Sequence, residues 1–211
     1  YALGVMYYDG KGVSQDYTKA AEWYRKAAVQ GNANAQYNLG VMYKNGEGVS
    51  KDFTKAAEWF QKAAEQGNAK AQYKLGIMYD TGKGISQNYV KAAEWYSKAA
   101  EQGNASAQCN LGVMYYTGNG VSQDYAKATE WYRKAAEQGN ADAQFYLGLM
   151  YCNGLGVSQD YAKAFDWYQK AAGQGHDLAK QKLIGIQNSK ELARREEFNK
   201  SFIKNLGLGK I

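Results

Sequence analysis

Few side chains in this sequence are suited to catalysis or to metal binding. The 211 residues include one histidine, His176, and two cysteines, Cys109 and Cys152. A catalytic triad would need His176 as its base, but the sequence identifies neither a nucleophile nor an orienting acid for it. A metal site needs three or four converging ligands, and neither cysteine has a second one at C-x-x-C spacing. We therefore expect no enzymatic activity, no metal and no cofactor.

Two other patterns suggest chemistry at first sight. Acids recur at a regular step, but each stands four residues before a lysine, which is the order that favours an exposed ion pair on a helix. Glycine pairs such as Gly118 and Gly120 resemble a phosphate-binding loop, but the Lys-Ser/Thr of a P-loop does not follow them. We interpret the acids as a solvated helix face and the glycines as turns. The acid–lysine pairs are Glu22–Lys26, Glu58–Lys62, Glu94–Lys98, Glu130–Lys134 and Asp166–Lys170.

Both patterns recur because the chain is built on a period of 36 residues. One unit, starting at Asn32, reads NANAQYNLGVMYKNGEGVSKDFTKAAEWFQKAAEQG. Such a period indicates a solenoid of stacked repeats, in which each unit buries its apolar face against its neighbours. The tryptophans mark the step most clearly, at Trp23, Trp59, Trp95, Trp131 and Trp167.

Each unit is predicted to contain two helices. In the unit quoted above, the first helix is expected over residues 33–45, with Asn32 as its N-cap. The second is expected to start at Asp52 and to run to about Gln66. Glycines with positive φ are expected at the turns, because such backbone angles are costly for other residues. These turn residues are Gly46, Gly48 and Gly67.

The helical period separates a buried from an exposed side in each helix. On the first helix, Ala35, Leu39 and Met42 fall on one side, which predicts a buried face. Gly76 is expected at the margin of the equivalent face, and Lys74 is expected to be exposed. On the second helix of the first unit, the predicted buried side consists of Tyr17, Ala20, Trp23, Tyr24, Ala27 and Ala28.

The repeat has the features of a known family. Leu39-Gly40-x-x-Tyr43 followed by Ala56-x-x-x-Phe60 matches the tetratricopeptide pattern, but the period here is 36 rather than 34 residues. The longer unit, with A-x-A-Q-x-x-L-G-x-x-Y, G-x-G-V and D-Y-x-K-A-x-x-W-Y-x-K-A-A, resembles the bacterial Sel-one-like repeat (SLR) family. The resemblance extends from residue 1 to about residue 187. It implies an all-α, right-handed α-α superhelix (a TPR-like solenoid) of helix-turn-helix repeats that serves as an adaptor, scaffold or receptor-binding surface.

The resemblance also implies a cellular location and two alternative functions. A bacterial envelope, periplasmic or secreted location is favoured over the cytoplasm, so an accessory protein of peptidoglycan or of an envelope enzyme is an alternative function. The cysteine-rich branch, to which beta-lactam hydrolysis is sometimes ascribed, carries a cysteine pair in each repeat. This chain does not, so a beta-lactam-hydrolysing enzyme is the least favoured alternative.

Composition narrows the range of partners. Residues 1–175 carry 18 Lys and Arg against 16 Asp and Glu, so the repeats are nearly neutral and lack the basic stripe of a nucleic-acid-binding protein. No stretch approaches the roughly 18 apolar residues of a membrane helix. With 24 glycines, 19 tyrosines and no proline, the composition does not fit disorder. We expect a monomer that binds another protein or peptide.

The ends of the chain are irregular. Residues 1–187 are predicted to form five helix pairs and one decayed terminal helix, with the first helix truncated at the N-terminus. His176 takes the place of Asn140 at the start of that terminal helix. Residues 188–211 are predicted to form a capping helix and a tail, because the open end of a solenoid needs a cover.

The candidate binding site follows from the positions that vary between units. Varied positions of the first helices fall opposite the buried side, and in tetratricopeptide-like stacks the first helices line a concave groove. We therefore predict partner binding in this groove, where exposed tyrosines are the sharpest candidates. The predicted residues are Tyr8, Asn38, Lys44, Lys74, Asp80, Asn110, Tyr116 and Tyr146.

Overall fold

A computed structural model describes residues 1–186 of the chain, and these residues form helices and turns without a strand. A final helical stretch spans residues 177–186. The predicted all-α fold of 36-residue helix-turn-helix repeats is confirmed, whereas the predicted cap over residues 188–211 lies outside the described residues. The helices are α1 (Ala2–Asp9), α2 (Tyr17–Val29), α3 (Ala33–Asn45), α4 (Phe53–Glu65), α5 (Ala69–Thr81), α6 (Tyr89–Glu101), α7 (Ala105–Thr117), α8 (Tyr125–Glu137), α9 (Ala141–Asn153) and α10 (Tyr161–Gly173).

Side-chain caps decide where the helices begin. At the start of α3, α5, α7 and α9, an asparagine side chain accepts a hydrogen bond of 2.8–3.0 Å from the backbone N–H three residues later. At the start of α2, α4, α6, α8 and α10, an Asp or Asn does the same at 2.9–3.0 Å. At the other end of α3, Gly46 adopts a φ of 80°, as expected for a helix stop. The predicted helix bounds are thereby confirmed.

The described residues divide into two compact units, residues 1–135 and residues 136–186. In the first unit, α1 to α6 each pack against the next helix along the chain, and alanines, Tyr24, Leu39, Phe60, Leu75 and Tyr96 form one core. In the second unit, α9 packs against α10, and the core consists of Phe145, Ala164, Tyr168, Ala171 and Ala179.

A glycine in each first helix lets an aromatic ring of the second helix approach the backbone. A Cβ built on Gly76 would lie only 2.6 Å from the Cδ1 atom of Tyr96. The same contact recurs in every repeat, with a closest distance of 2.6–2.8 Å. The two helices of a repeat can therefore pack this closely only when the first carries glycine at this position. The pairs are Gly4–Tyr24, Gly40–Phe60, Gly76–Tyr96, Gly112–Tyr132 and Gly148–Tyr168.

A buried glutamine joins each repeat to the one before it. Gln72 donates its side-chain N–H to the carbonyl of Ala64 at the end of α4, at 3.1 Å. Its own carbonyl oxygen accepts a hydrogen bond of 2.7 Å from Gln102 at the end of α6. The bond to the preceding helix recurs for Gln36, Gln108 and Gln144 at 3.0–3.1 Å. Both polar ends of this buried side chain thus have partners, as burial requires.

The predicted acid–lysine pairs of the second helices were largely wrong. Within residues 1–186, only Glu130 and Lys134 form such an ion pair, at 2.8 Å. Instead, the lysine at this position of every repeat lies over the ring of the tryptophan three residues earlier, with Nζ 4.0–4.5 Å from the ring centroid. Trp23 is therefore half-buried rather than a core residue, because its outer side supports Lys26.

Candidate functional site

The candidate residues lie on the flanks of the first helices, but most of them are less exposed than the sequence predicted. Lys44 and Tyr116 are exposed, the latter at 38%. The other candidates are half-buried: Tyr8, Asn38, Lys74, Asp80, Asn110 and Tyr146. The prediction of an exposed Lys74 was wrong, because the side chain is half-buried and its ammonium group lies 5.4 Å from the Tyr73 ring centroid.

Between α1 and α3, the structure brings Tyr8 and Asn38 to one pocket. Its volume is about 260 Å³, and the Tyr8 hydroxyl donates a hydrogen bond of 2.9 Å to a Glu47 carboxylate oxygen. Burial, and then this carboxylate, raise the pKa of Tyr8 to about 12. The lining residues are Tyr1, Val5, Tyr8, Asp9, Tyr24, Tyr37, Asn38 and Val41.

Tyrosine hydroxyls of the second helices hold two of the candidate side chains in place. The Tyr96 hydroxyl donates a hydrogen bond of 3.3 Å to Asp80 and is also hydrogen-bonded to Asn110. Burial is the main cause that raises the pKa of Tyr96 above its usual range. Two repeats earlier, Asn38 makes the equivalent hydrogen bond to Tyr24. These asparagines therefore position tyrosines in addition to lining the flank.

The third group of candidates is basic. Lys44 of α3 and Lys74 of α5 act on each other electrostatically, and burial followed by the charge of Lys44 lowers the pKa of Lys74. Lys44 also borders a pocket of about 580 Å³ that has an apolar floor. The lining residues are Lys44, Asn45, Lys51, Phe53, Ile77, Met78, Thr81 and Lys83.

Of the candidates, only Tyr8, Asn38 and Lys44 line the two pockets; the candidates outside both linings are Lys74, Asp80, Asn110, Tyr116 and Tyr146. Tyr116 packs on Tyr125, with ring centroids 5.5 Å apart. Tyr146 belongs to the second compact unit, where its ring lies 5.6 Å from that of Phe145.

The residues that could do acid–base or metal chemistry have structural contacts. His176 accepts a hydrogen bond of 3.2 Å from the Ala179 backbone N–H through Nδ1, so it caps the last described helix as Asn140 caps α9. Its Nε2 lies 3.4 Å from an Asp142 carboxylate oxygen, and its ring stacks on Phe145. Over residues 1–186, no three His, Cys, Asp or Glu side chains converge as a metal site would require.

Comparison with known proteins identifies the family. Five consecutive segments match the Sel1 repeat model, at residues 1–32, 33–68, 69–104, 105–140 and 141–176. The chain belongs to the Sel1 repeat family. Sel1 repeats are generally protein-interaction modules, and the helices described above agree with that fold. No helix among the described Sel1 repeats is both long enough and apolar enough to cross a membrane.

Solved Sel1 repeat structures are similar over most of the chain. A protective antigen of uropathogenic Escherichia coli strains with an SLR fold is 46% identical over 87% of this chain, with a TM-score of 0.83. The match spans 39% of the antigen's chain. A Sel1 repeat protein from Oxalobacter formigenes is 40% identical, covers 88% of this chain and 74% of its own, and has a TM-score of 0.81. An immunity protein from Pseudomonas aeruginosa is 27% identical, with coverages of 85% and 69% and a TM-score of 0.52. No curated protein matches the chain.

Proposed function

We propose that this Sel1 repeat protein is a non-enzymatic interaction module that binds a segment of another protein along the flanks of its first helices. We call this surface of the first compact unit the first-helix face. It consists of Tyr8, Asn38, Lys44, Lys74, Asp80, Asn110 and Tyr116.

The observation that carries the proposal is a pair of pockets, each of which lies between two successive first helices. One lies between α1 and α3 and another between α3 and α5, and their volumes, about 260 and 580 Å³, suit single side chains or a short peptide. Their linings combine aromatic and apolar floors with a few polar or charged groups at the rim, which is the composition of binding pockets.

The chemistry of the rims supports recognition rather than catalysis. The Tyr8 hydroxyl is held by its hydrogen bond to Glu47, and Asp80 and Asn110 are held by Tyr96. Groups fixed in this way lose little side-chain entropy when a partner binds, which favours affinity. The similarity to an immunity protein and to a protective antigen is compatible with recognition of a protein, and brings no enzymatic role with it.

The test is affinity capture from a lysate of the source organism, followed by mass spectrometry. The full chain and a variant with Asn38→Ala and Tyr116→Ala are immobilised side by side. A partner of the first-helix face should be captured at least about tenfold less by the variant, because two contacts of about 1 kcal/mol each are lost.

The matched control replaces Glu22 and Glu94 by alanine. Both residues are exposed on second helices, away from the proposed surface, and the control should capture the same partner as the unaltered chain. Loss of capture with this control, or equal capture by both variants and the unaltered chain, would place binding elsewhere and contradict the proposal.

A further inference from the structure

The larger pocket, between the second and third repeats, differs chemically from its counterparts. It combines an apolar floor of Phe53, Ile77 and Met78 with three lysines at its rim, Lys44, Lys51 and Lys83. Lys74 lies one helical turn before Ile77 and Met78 on α5, which places a fourth lysine on the same side of that helix.

At two positions of this pocket, the second repeat lacks a hydrogen bond that other repeats make. In the first, third and fifth repeats, a glutamine side chain in the turn donates to the hydroxyl of the tyrosine that begins the second helix, at 2.8–3.1 Å. In the second repeat the same positions hold Lys51 and Phe53, with the ammonium group 5.2 Å from the ring centroid. The exchange removes a hydroxyl from the pocket and adds a positive charge at its rim.

The residues around Lys74 show a second, independent exchange. At the neighbouring junctions an asparagine of the following first helix is hydrogen-bonded to a buried tyrosine, as Asn110 is to Tyr96. At the junction of the second and third repeats, the corresponding residues are Lys74 and Phe60. Phe60 has no hydroxyl, so nothing at this position can accept a hydrogen bond from the ammonium group of Lys74.

Lys44 is a further residue in which this junction differs from the neighbouring ones. It stands where the third repeat has Asp80, so a positive charge takes the place of the carboxylate that accepts from Tyr96 there. Half-burial of Lys74 within electrostatic range of this second ammonium group is unfavourable in the unbound protein, and an anion bound near both would relieve the repulsion.

The carboxylates of these two repeats do not neutralise the lysines. On the first helices and turns of the second and third repeats, three carboxylates occur, and each has another partner. Glu47 accepts from Tyr8 and Asn45, Asp52 caps α4 and pairs with Lys55, and Asp80 accepts from Tyr96. In residues 1–135, Lys44, Lys51, Lys74 and Lys83 form no ion pair.

We propose that this pocket binds an acidic segment of a partner protein. A carboxylate of the segment lies between Lys44 and Lys74, and a neighbouring apolar side chain enters the pocket over Phe53 and Ile77. This inference rests on the proposed function, since it names the chemistry that the first-helix face recognises at one of its junctions. The unneutralised lysines supply the charge complementarity, and the apolar floor supplies the contact area.

The test is a selection from a displayed random-peptide library against the immobilised full chain. Sequences that bind should be enriched in Asp and Glu beside a large apolar residue. A selected peptide, labelled with fluorescein, should bind more weakly as salt rises, because screening reduces the attraction between partly exposed charges. Its Kd should rise about tenfold to a hundredfold in a variant with Lys44→Glu and Lys74→Glu.

A control variant carries Lys62→Glu and Lys98→Glu, which gives the same change in net charge on the second helices. It should bind the acidic peptide as the unaltered chain does, and circular dichroism should show that both variants fold. Selected peptides that are not enriched in Asp and Glu would overturn the inference. An acidic peptide whose affinity falls equally in both variants would overturn it as well.

Two further outcomes separate this inference from the proposed function. If selected peptides lack acidic residues but lose affinity with Asn38→Ala and Tyr116→Ala, the first-helix face binds protein and only the acidic specificity is wrong. If no peptide binds above background, both proposals fail. Displacement of the acidic peptide by inorganic phosphate at constant ionic strength would show a phosphate site instead, and would also overturn the inference.

Discussion

Replacing Gly76 by alanine tests whether close helix packing depends on glycine. The added Cβ would lie 2.6 Å from Cδ1 and 2.7 Å from Cε1 of Tyr96, whereas non-bonded carbon atoms prefer about 3.5–4.0 Å. The ring is completely buried, so it cannot turn outwards, and its hydroxyl is held by Asp80. The helices must therefore separate by about 1 Å, or the ring must leave its preferred rotamer.

Two opposing terms set the size of the effect. Overpacking of a well-filled core typically costs about 1–3 kcal/mol, and a contact this short with a fixed ring belongs near the upper end. Alanine favours the helix over glycine by about 1 kcal/mol, which offsets part of this cost. We expect a net loss of about 1–2 kcal/mol in the free energy of unfolding.

The matched control is Gly173→Ala. Gly173 is also helical, but a Cβ there meets nothing within 4 Å, so only the gain in helix propensity remains. In urea unfolding followed by circular dichroism, Gly173→Ala should be as stable as the unaltered chain or more stable, and Gly76→Ala should be less stable. Equal midpoints for the two variants would show that the glycine does not determine the helix separation.

Three further predictions concern the junctions, the caps and the tyrosines. Gln72→Leu should lower the unfolding free energy by about 1–3 kcal/mol in urea, because it removes two hydrogen bonds of a buried side chain, one to the Ala64 carbonyl and one from Gln102; an unchanged midpoint would contradict this role. Asn68→Ala should cost about 1 kcal/mol through loss of the cap of α5, and Asn68→Asp should retain stability; equal loss in both would argue against capping. The pKa values of Tyr8 and Tyr24 rise on folding from 10.0 to about 12, so their stabilising contribution is present below pH 10 and is lost as pH rises towards about 12. Tyrosinate absorbance should show these late titrations, and a single transition near pH 10 in the folded protein would refute them.

The helices were predictable from the sequence because their bounds are set locally. Asn32 and Asp52 lie at the N-caps, and Gly46 at the stop, within one turn of the helix that each bounds. The buried side of α3 was also predictable, because it follows from helical geometry alone. Local signals of this kind do not depend on how the repeats stack.

The side chains of the candidate site were less predictable because each has several possible partners. Lys62 stands within reach of both Glu58 and Trp59, and the spacing alone favoured the acid, whereas the structure places the ammonium group over the ring. The half-burial of Lys74 and the roles of the asparagines depend on the neighbouring repeat, which the helical period of one helix does not describe. The bridging glutamines recur in every repeat after the first, and this recurrence could have marked them as structural. Their hydrogen-bond partners depend on how the repeats stack, which the recurrence does not give.

The buried glutamine bridge has a consequence for how such a chain can change in length. Gln72 and Gln108 make the same hydrogen bond to the helix before them, so the ends of successive repeats are chemically interchangeable. A deletion of residues 69–104 would place Gln108 where Gln72 stood and would rejoin the chain in register, as would a duplication of that segment. Whole repeats can thus be exchanged by recombination with the glutamine bridge retained, whereas a rearrangement that is not a whole number of repeats would leave the bridge without its partner. The number of repeats can then evolve separately from the few substitutions that give one junction its charge.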